Sequence, residues 1–161
     1  MYKARIIGTG SHVPEKVLTN KDLEALVDTS DEWIITRTGI KERHIASNGE
    51  ATSDFAYQAA LNAMEMAGTS PEEIDMIIVG TITPDMNTPS VACLIQSKLE
   101  AKRAAAFDVS AGCTSFLYAL SAADSFMKTG SAKKILVVGT ETRDHIKHIL
   151  IRLAAADHTE P

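Results

Sequence analysis

The sequence predicts an α/β fold in which a parallel or mixed sheet is covered by helices on both faces. Four short runs are rich in Val, Ile or Ala and are bounded by polar residues or glycine, a pattern typical of buried strands. Segments with helical periodicity lie between these runs, and strands that alternate with helices form βαβ crossovers. The four predicted strands are residues 4–7, 74–82, 104–109 and 134–140.

Four segments carry the sequence signals of helices, at about residues 29–39, 52–68, 88–99 and 113–130. Thr29-Ser30-Asp31-Glu32 is a capping-box pattern that opens the first helix. Thr52 or Ser53 caps the second helix, and Gly68 stops it. Thr88-Pro89 starts the third helix, because proline is favoured in the first turn.

Composition limits the functions that the chain can have. The 161 residues are 45% hydrophobic and 23% charged, which suits one globular domain and argues against disorder. The net charge of −5 argues against a nucleic-acid or membrane-surface role, because both need a basic field. Two cysteines outside any CxxC pair form no disulfide scaffold, and no signal peptide or membrane span is evident. We therefore expect a cytoplasmic protein with reduced thiols.

Two segments resemble each other at an offset of 59 residues. Val79-Gly80-Thr81-Ile82-Thr83-Pro84-Asp85 shares five of seven residues with Val138-Gly139-Thr140-Glu141-Thr142-Arg143-Asp144. Each segment follows an amphipathic helix and ends a predicted strand. A duplicated unit and a chance likeness between strand ends both explain this echo, and the sequence leaves the two open.

The strongest chemical signal follows the third predicted strand. Residues 104–116 pass from a buried strand through small residues to Cys113 and then into an amphipathic helix. This order places the thiol at a helix N-terminus, where the macrodipole and free N–H groups favour a thiolate and could receive a developing oxyanion. The alternative is that Cys113 is a small buried hydrophobe, as free cysteines often are. For Cys93, inside the third predicted helix, we expect core packing.

Several motifs together give the chain a resemblance to a known family. The segments VDTSDEWI at 27–34 and RTGIKER at 37–43 are the most specific of them. Residues 8–20 match as well, and so do AAFDVSAGC at 105–113, Thr83-Pro84-Asp85 and Pro89-Ser90. On these motifs residues 1–142 resemble the N-terminal half of β-ketoacyl-acyl-carrier-protein synthase III, the condensing enzyme that starts bacterial fatty acid synthesis.

The resemblance implies a thiolase-like fold, in which two similar βαβαβ halves stack in a layered sandwich. It implies that Cys113 attacks the thioester of acetyl-CoA and holds the acyl group. Malonyl-acyl carrier protein then loses carbon dioxide, and its carbanion attacks the acyl-enzyme. A His and an Asn from the second half of the family stabilise the developing charge. The resemblance also implies a homodimer, and no metal or redox cofactor, since the CoA thioester is a substrate.

The first predicted helix is implied to contact CoA. Trp33 and Arg37 are four residues apart and share one face of that helix. In the family the Trp stacks on adenine, and the position of Thr29 lies beside the same ligand. The alternative is that Trp33, the only Trp, anchors the core and that Arg37 pairs with a nearby carboxylate.

Some features depart from the family. We expect a half-domain at residues 1–142 and a divergent tail at 143–161, with the C-terminal half absent. Ser115 and Glu100 stand where the family commonly has glycine. His145 and His148 could touch one metal ion, but a solvated His-rich face is the simpler interpretation. The alternative functions are an incomplete chain with at most residual CoA binding or acylation of Cys113, and a relative such as a polyketide starter synthase or a hydroxymethylglutaryl-CoA synthase-like protein.

Overall fold

The computed structural model describes residues 4–142, which form two compact units. The first unit contains residues 4–12 and Glu50–Thr142, and the second contains Val13–Gly49. The predicted tail at 143–161 lies outside the described residues. Among the helices that are described, none is long and apolar enough to cross a membrane.

Helices and strands alternate along the first unit, as the sequence predicts. The elements of the second unit are β1 (Val17–Thr19), α1 (Asn20–Glu24), α2 (Asp31–Thr38) and β2 (Glu42–His44). Those of the first unit are α3 (Thr52–Ala67), β3 (Met76–Gly80), α4 (Val91–Leu99), β4 (Ala105–Val109), α5 (Ser115–Lys128) and β5 (Ile135–Gly139). Short 3-10 turns at Pro71–Glu73 and Gly112–Thr114 precede β3 and α5.

The first unit is built on a parallel sheet with the strand order β4-β3-β5. Alternate residues of a strand point to opposite faces, so each face has its own core. Ile77 and Val79 join the cluster formed with α3 and α4, whereas Met76 and Ile78 join the cluster formed with α5. The predicted α/β class, with helices on both faces of the sheet, is confirmed.

The predicted helices are present, with changes at their first residues. Ser30 caps α2 by accepting a hydrogen bond from Trp33 N–H, and Gly39 ends that helix. Neither Thr52 nor Ser53 caps α3: Ala51 is the N-cap, and its N–H donates to the Asp54 carboxylate at 2.9 Å. The Thr52 hydroxyl does not cap the helix, because it donates a hydrogen bond to the carbonyl of Thr83 instead.

The helix α4 begins at Val91 and not at Thr88-Pro89. Ser90 is its N-cap, because the Ser90 hydroxyl accepts a hydrogen bond from Cys93 N–H at 3.2 Å. The proline therefore precedes the cap and lies outside the first turn.

The predicted strand at residues 4–7 is wrong: this segment carries no strand pairing, and Ile6 is 74% exposed. A cavity of about 1000 Å³ is lined by residues 4–10, by β5 and by α3 and α5. The segment and β5 both line this cavity, and no ladder joins them. The segment packs on α3 instead, where a Cβ at Gly8 or Gly10 would come within 2.4 Å or 2.3 Å of the carbonyl oxygens of Ala63 and Ala59.

The second unit contains an antiparallel pair that the sequence did not predict. β1 pairs with β2, and Val17 lies opposite His44. Asn20 is buried beside this pair; its amide donates to Asp31 and to the carbonyl of Ile40, and its oxygen accepts from Arg43. One buried polar side chain thus links α1, α2 and β2.

The sequence echo has a structural explanation. β3 pairs with β5 in the register that places Val79 beside Val138 and Gly80 beside Gly139. Beyond the strands, Thr142 N–H donates to the Thr83 hydroxyl across the same 59-residue separation. The two similar segments are therefore the neighbouring carboxyl ends of paired parallel strands.

Candidate active site

Cys113 lies on the connection between β4 and α5. The strand ends at Val109, and a 3-10 turn at Gly112–Thr114 leads directly into the helix. Gly112 has a φ of +59°, a left-handed conformation that glycine adopts without steric cost. Cys113 is exposed, so the alternative that it is a buried hydrophobe is wrong. We call residues 110–115 the elbow.

The hydrogen bonds of the elbow leave its central amides available. Thr114 N–H and the Thr114 hydroxyl both point to the carbonyl of Ala111, at 3.3 Å and 2.8 Å. Within residues 4–142, the N–H groups of Gly112 and Cys113 donate no hydrogen bond. A carbonyl oxygen that becomes negative beside the Cys113 sulfur would find donors there.

Two glycines set the position of the elbow against the sheet. A Cβ at Gly80 would lie 2.7 Å from the carbonyl carbon of Ser115 and 2.8 Å from the nitrogen of Phe116. At Gly139 a Cβ would meet the Phe116 side chain at 3.1 Å. The first turn of α5 therefore rests on the ends of β3 and β5, which are the glycines of the sequence echo.

Polar groups surround the carboxyl ends of these strands. Glu141 accepts hydrogen bonds from Ile82 N–H at 2.9 Å and from the Thr83 hydroxyl. Thr52 bonds with Thr142, so the loops after β3 and β5 are joined to the start of α3. The sequence echo contains both Thr83 and Glu141, but it does not predict their contact, because the contact depends on the strand register.

A second carboxylate anchors the N-terminus of α3. Asp85 accepts a hydrogen bond from Ser53 N–H at 2.9 Å. Asp54, in the first turn, accepts from Lys98, which also bonds with Ser53. Hydrogen bonds from Lys98 and from the N–H of Ala51 lower the pKa of Asp54. These groups are occupied by structural contacts.

Cys93 differs from Cys113 in its surroundings. It is half-buried inside α4, and its thiol donates to the carbonyl of Ala106 at 3.8 Å. Its N–H is held by the Ser90 hydroxyl. Cys93 thus packs in the helix layer, as the sequence predicts, and has no elbow around it.

The residues predicted to contact CoA belong to the second unit. Trp33 and Arg37 lie on α2, and the Arg37 guanidinium carbon is 5.3 Å from the centre of the Trp33 ring. This cation–π contact confirms that they share one face of the helix. Trp33 and Thr29 are half-buried, whereas the core residue of α2 is Ile34. A half-buried indole keeps part of its surface in solvent, and indole rings can stack on flat rings.

In the part of the chain that the structure describes, no group of three His, Cys, Asp or Glu side chains could hold a metal ion. His145 and His148 lie outside the described residues.

Comparison with known proteins gives a consistent result. A family model for 3-oxoacyl-[acyl-carrier-protein (ACP)] synthase III matches residues 107–149, a range that includes Cys113. The chain is 58% identical over 143 residues to a β-ketoacyl-[acyl-carrier-protein] synthase III of Xanthomonas oryzae pv. oryzae, covering 89% of this chain and 44% of that protein. The chain therefore spans less than half the length of the curated relatives that it matches.

Solved structures show the same likeness. The crystal structure of 3-oxoacyl-[acyl-carrier-protein] synthase III from Aquifex aeolicus VF5 superposes with a TM-score of 0.81 at 58% identity. The match covers 83% of this chain and 43% of the Aquifex aeolicus chain. A synthase III structure from Thermus thermophilus gives a TM-score of 0.84 at 41% identity, covering 92% of this chain and 47% of its own.

Proposed function

The chain is homologous to the N-terminal half of β-ketoacyl-acyl-carrier-protein synthase III and has its thiolase-like fold, and from this kinship we propose that Cys113 is an acyl-accepting nucleophile. The observation that carries the proposal is the geometry of the elbow. An exposed thiol stands at the carboxyl edge of a parallel sheet, beside two amides that donate no hydrogen bond within residues 4–142. Open α/β sheets hold their ligands at this edge.

The proposed first step transfers an acetyl group from CoA to Cys113. The Cys113 sulfur forms a bond to the carbonyl carbon, and the carbonyl electrons move to the oxygen beside the elbow amides. When the tetrahedral adduct collapses, the bond to the CoA sulfur breaks. CoA leaves as a thiolate and takes up the proton that the Cys113 thiol released.

The second step is the condensation expected of the whole family protein. Malonyl-acyl carrier protein loses carbon dioxide, and the resulting carbanion attacks the carbonyl carbon of the acyl-enzyme. A carbon–carbon bond forms, the carbon–sulfur bond breaks, and the Cys113 thiolate returns. The overall reaction is acyl transfer with a decarboxylating condensation, with an acyl-CoA and a carrier protein as partners. A homodimer in the cytoplasm is part of the same proposal.

Mass spectrometry after incubation with acetyl-CoA tests the first step. We expect one added acetyl group on the peptide that contains Cys113. The Cys113→Ala variant should gain no acetyl group, whereas Cys93→Ala, which removes the other thiol, should be acetylated like the wild type. Acetylation that persists in Cys113→Ala would place the reaction elsewhere.

CoA binding by α2 is a separate part of the proposal. Trp33 is the only Trp, so its fluorescence reports on this helix alone. We expect CoA to quench the fluorescence in a saturable manner and Arg37→Ala to weaken the binding. Lys21→Ala, which removes an exposed cation from α1, is the matched control. If CoA leaves the fluorescence unchanged at the concentrations at which acetyl-CoA acetylates Cys113, the α2 contact is wrong.

A further inference from the structure

Ser115 occupies an unusual place in the elbow. It is the first residue of α5, and it is only 3% exposed although it stands two residues from the exposed Cys113. Its hydroxyl accepts a hydrogen bond from Ala111 N–H at 2.8 Å and donates one to the carbonyl of Gly112 at 2.8 Å. Both hydrogen-bonding functions of the hydroxyl are thus used within the elbow.

These bonds enclose Cys113. The Ser115 hydroxyl holds peptide groups that precede Cys113, and the Thr114 hydroxyl holds the carbonyl of Ala111 from the other side. Gly112, with its left-handed backbone, lies between the residues that these hydrogen bonds join. The backbone next to Cys113 is therefore held by the hydroxyls of the two residues that follow it.

Close packing limits the movement of Ser115 itself. A Cβ at Gly80 would lie 2.9 Å from the Ser115 Cβ, so the Ser115 backbone rests directly on the end of β3. The hydroxyl therefore ties the loop after β4 to the first residue of α5, whose backbone lies against the end of β3. A glycine, which the family commonly has at this position, would supply neither hydrogen bond, so the role inferred for Ser115 belongs to this chain and not to the family.

From these contacts we infer that Ser115 is a positioning residue for Cys113. Its hydroxyl holds the carbonyl of Gly112, which belongs to the same peptide group as the Cys113 N–H, and so fixes the direction of that amide relative to the Cys113 sulfur. The inference rests on the proposed function, because it assigns Ser115 a role in the acyl transfer to that sulfur. Acyl transfer needs the sulfur and an oxyanion donor in a set geometry, whereas alkylation by iodoacetamide displaces iodide and forms no oxyanion.

Two reagents separate positioning from simple access to the thiol. In a Cys93→Ala background Cys113 is the only thiol. 4-Nitrophenyl acetate acylates a thiol through an oxyanion and releases 4-nitrophenolate, and it needs no CoA contact. Iodoacetamide measures exposure and reactivity of the same sulfur. We expect Ser115→Ala to slow the acylation about tenfold or more, and to change the alkylation rate by less than about threefold.

Control variants complete the test. Ser125→Ala removes another hydroxyl from α5, one that donates to the carbonyl of Ser121, far from the elbow. The acylation and alkylation rates of this variant should match those of the background chain. Ser115→Gly repeats the loss of the hydroxyl and serves if Ser115→Ala does not fold. Urea unfolding of each variant shows whether it is folded under the assay conditions.

The outcomes distinguish this inference from the proposed function. A selective loss of acylation in Ser115→Ala supports the inference. Equal acylation rates, or rates of acylation and alkylation that change together, overturn it while leaving Cys113 as the nucleophile. If 4-nitrophenyl acetate acylates Cys113 but acetyl-CoA does not, only the CoA part of the proposed function fails. If neither reagent acylates Cys113, the proposed function and the role of Ser115 are both wrong.

Discussion

The two faces of the parallel sheet differ in how much of their helix layer is buried. On the α3 and α4 face, Val91 and Ile95 are completely buried against Ile77 and Val79. On the α5 face, the buried residues of the helix are only Ser115, Ala119 and Ala123. Phe116, Leu117 and Tyr118 follow the elbow and are 43%, 65% and 60% exposed.

We expect the two faces to differ in role: the α3 and α4 face stabilises the fold, whereas the α5 face carries the proposed nucleophile. Apolar area removed from water stabilises the fold in proportion to its extent, so the α3 and α4 face contributes the larger share. The α5 face carries Cys113, and the buried residues of its helix are small, although the half-buried Phe126 packs on Phe107 of β4. Substitutions on the first face should therefore change the free energy of unfolding, and those around the elbow should change acyl transfer.

The largest expected effect on stability comes from a matched pair of truncations. Ile95→Ala removes a completely buried side chain from α4 and should lower the free energy of unfolding by about 3 kcal/mol. Leu117→Ala removes an exposed side chain from α5 and should change it by less than about 0.5 kcal/mol. Urea unfolding followed by circular dichroism measures both values. Similar losses for the two variants would remove the distinction between the faces.

Gly80→Ala should affect both properties. The new Cβ would overlap the backbone of Ser115 and Phe116, which costs about 1–3 kcal/mol and displaces the elbow. The rate of acetyl transfer to Cys113 should fall with it. Gly139→Ala should have a smaller effect on both properties, because the atoms nearest its Cβ belong to the Phe116 side chain, at 3.1 Å and beyond. Equal acetylation rates for Gly80→Ala and the wild type would show that the glycine does not set the position of the elbow.

Asp108 offers a change on β4 that should spare the chemistry. Its carboxylate accepts hydrogen bonds from Val91 N–H and Ala92 N–H, both at 2.8 Å, at the N-terminus of α4. Asp108→Ala should cost about 1–2 kcal/mol of folding stability, as the loss of a helix cap does. Acetylation of the folded variant should keep its wild-type rate. A strong loss of acetylation at unchanged stability would assign Asp108 to the site.

The smallest expected effect on folding stability is at Asp75, and we expect it only in acidic solution. Its carboxylate accepts hydrogen bonds from Lys134 N–H and Lys133 N–H, and these bonds lower its pKa below the ordinary value of 3.8. Because the folded pKa is the lower one, this stabilisation is complete above pH 3.8 and is lost as the pH falls through the folded value. Asp75→Asn should show a weaker loss of stability below pH 3.8 than the wild type. Parallel acid-unfolding curves would contradict this.

Local signals in the sequence predicted most of the fold. Helical spacing and end residues such as Gly39 and Gly68 placed α2 and α3, and apolar runs placed β3, β4 and β5, within a few residues of their observed bounds. The strand predicted at 4–7 failed because a strand needs a partner, which no property of the run itself supplies. β1 and β2 are three residues long and offer too little periodicity to detect.

The site was predictable only in part. Small residues and Gly112 before an amphipathic helix were sufficient to predict the elbow and the position of Cys113. The hydrogen bonds of Ser115 and the contact between Gly80 and α5 depend on tertiary packing, so no local pattern predicts them. The sequence marks these positions only through the echo around Gly80 and Gly139 and through a serine where the family commonly has glycine. The strand register explains the echo.

The central claim is that Cys113 takes an acyl group in an orientation set by the elbow. A crystal structure determined after exposure to acetyl-CoA tests this most directly. We predict electron density for an acetyl group on the Cys113 sulfur, with its carbonyl oxygen about 3 Å from the amide nitrogen of Gly112 or Cys113. An unmodified Cys113 beside an acetylated Cys93, or an acetyl oxygen turned away from both amides, would contradict the account.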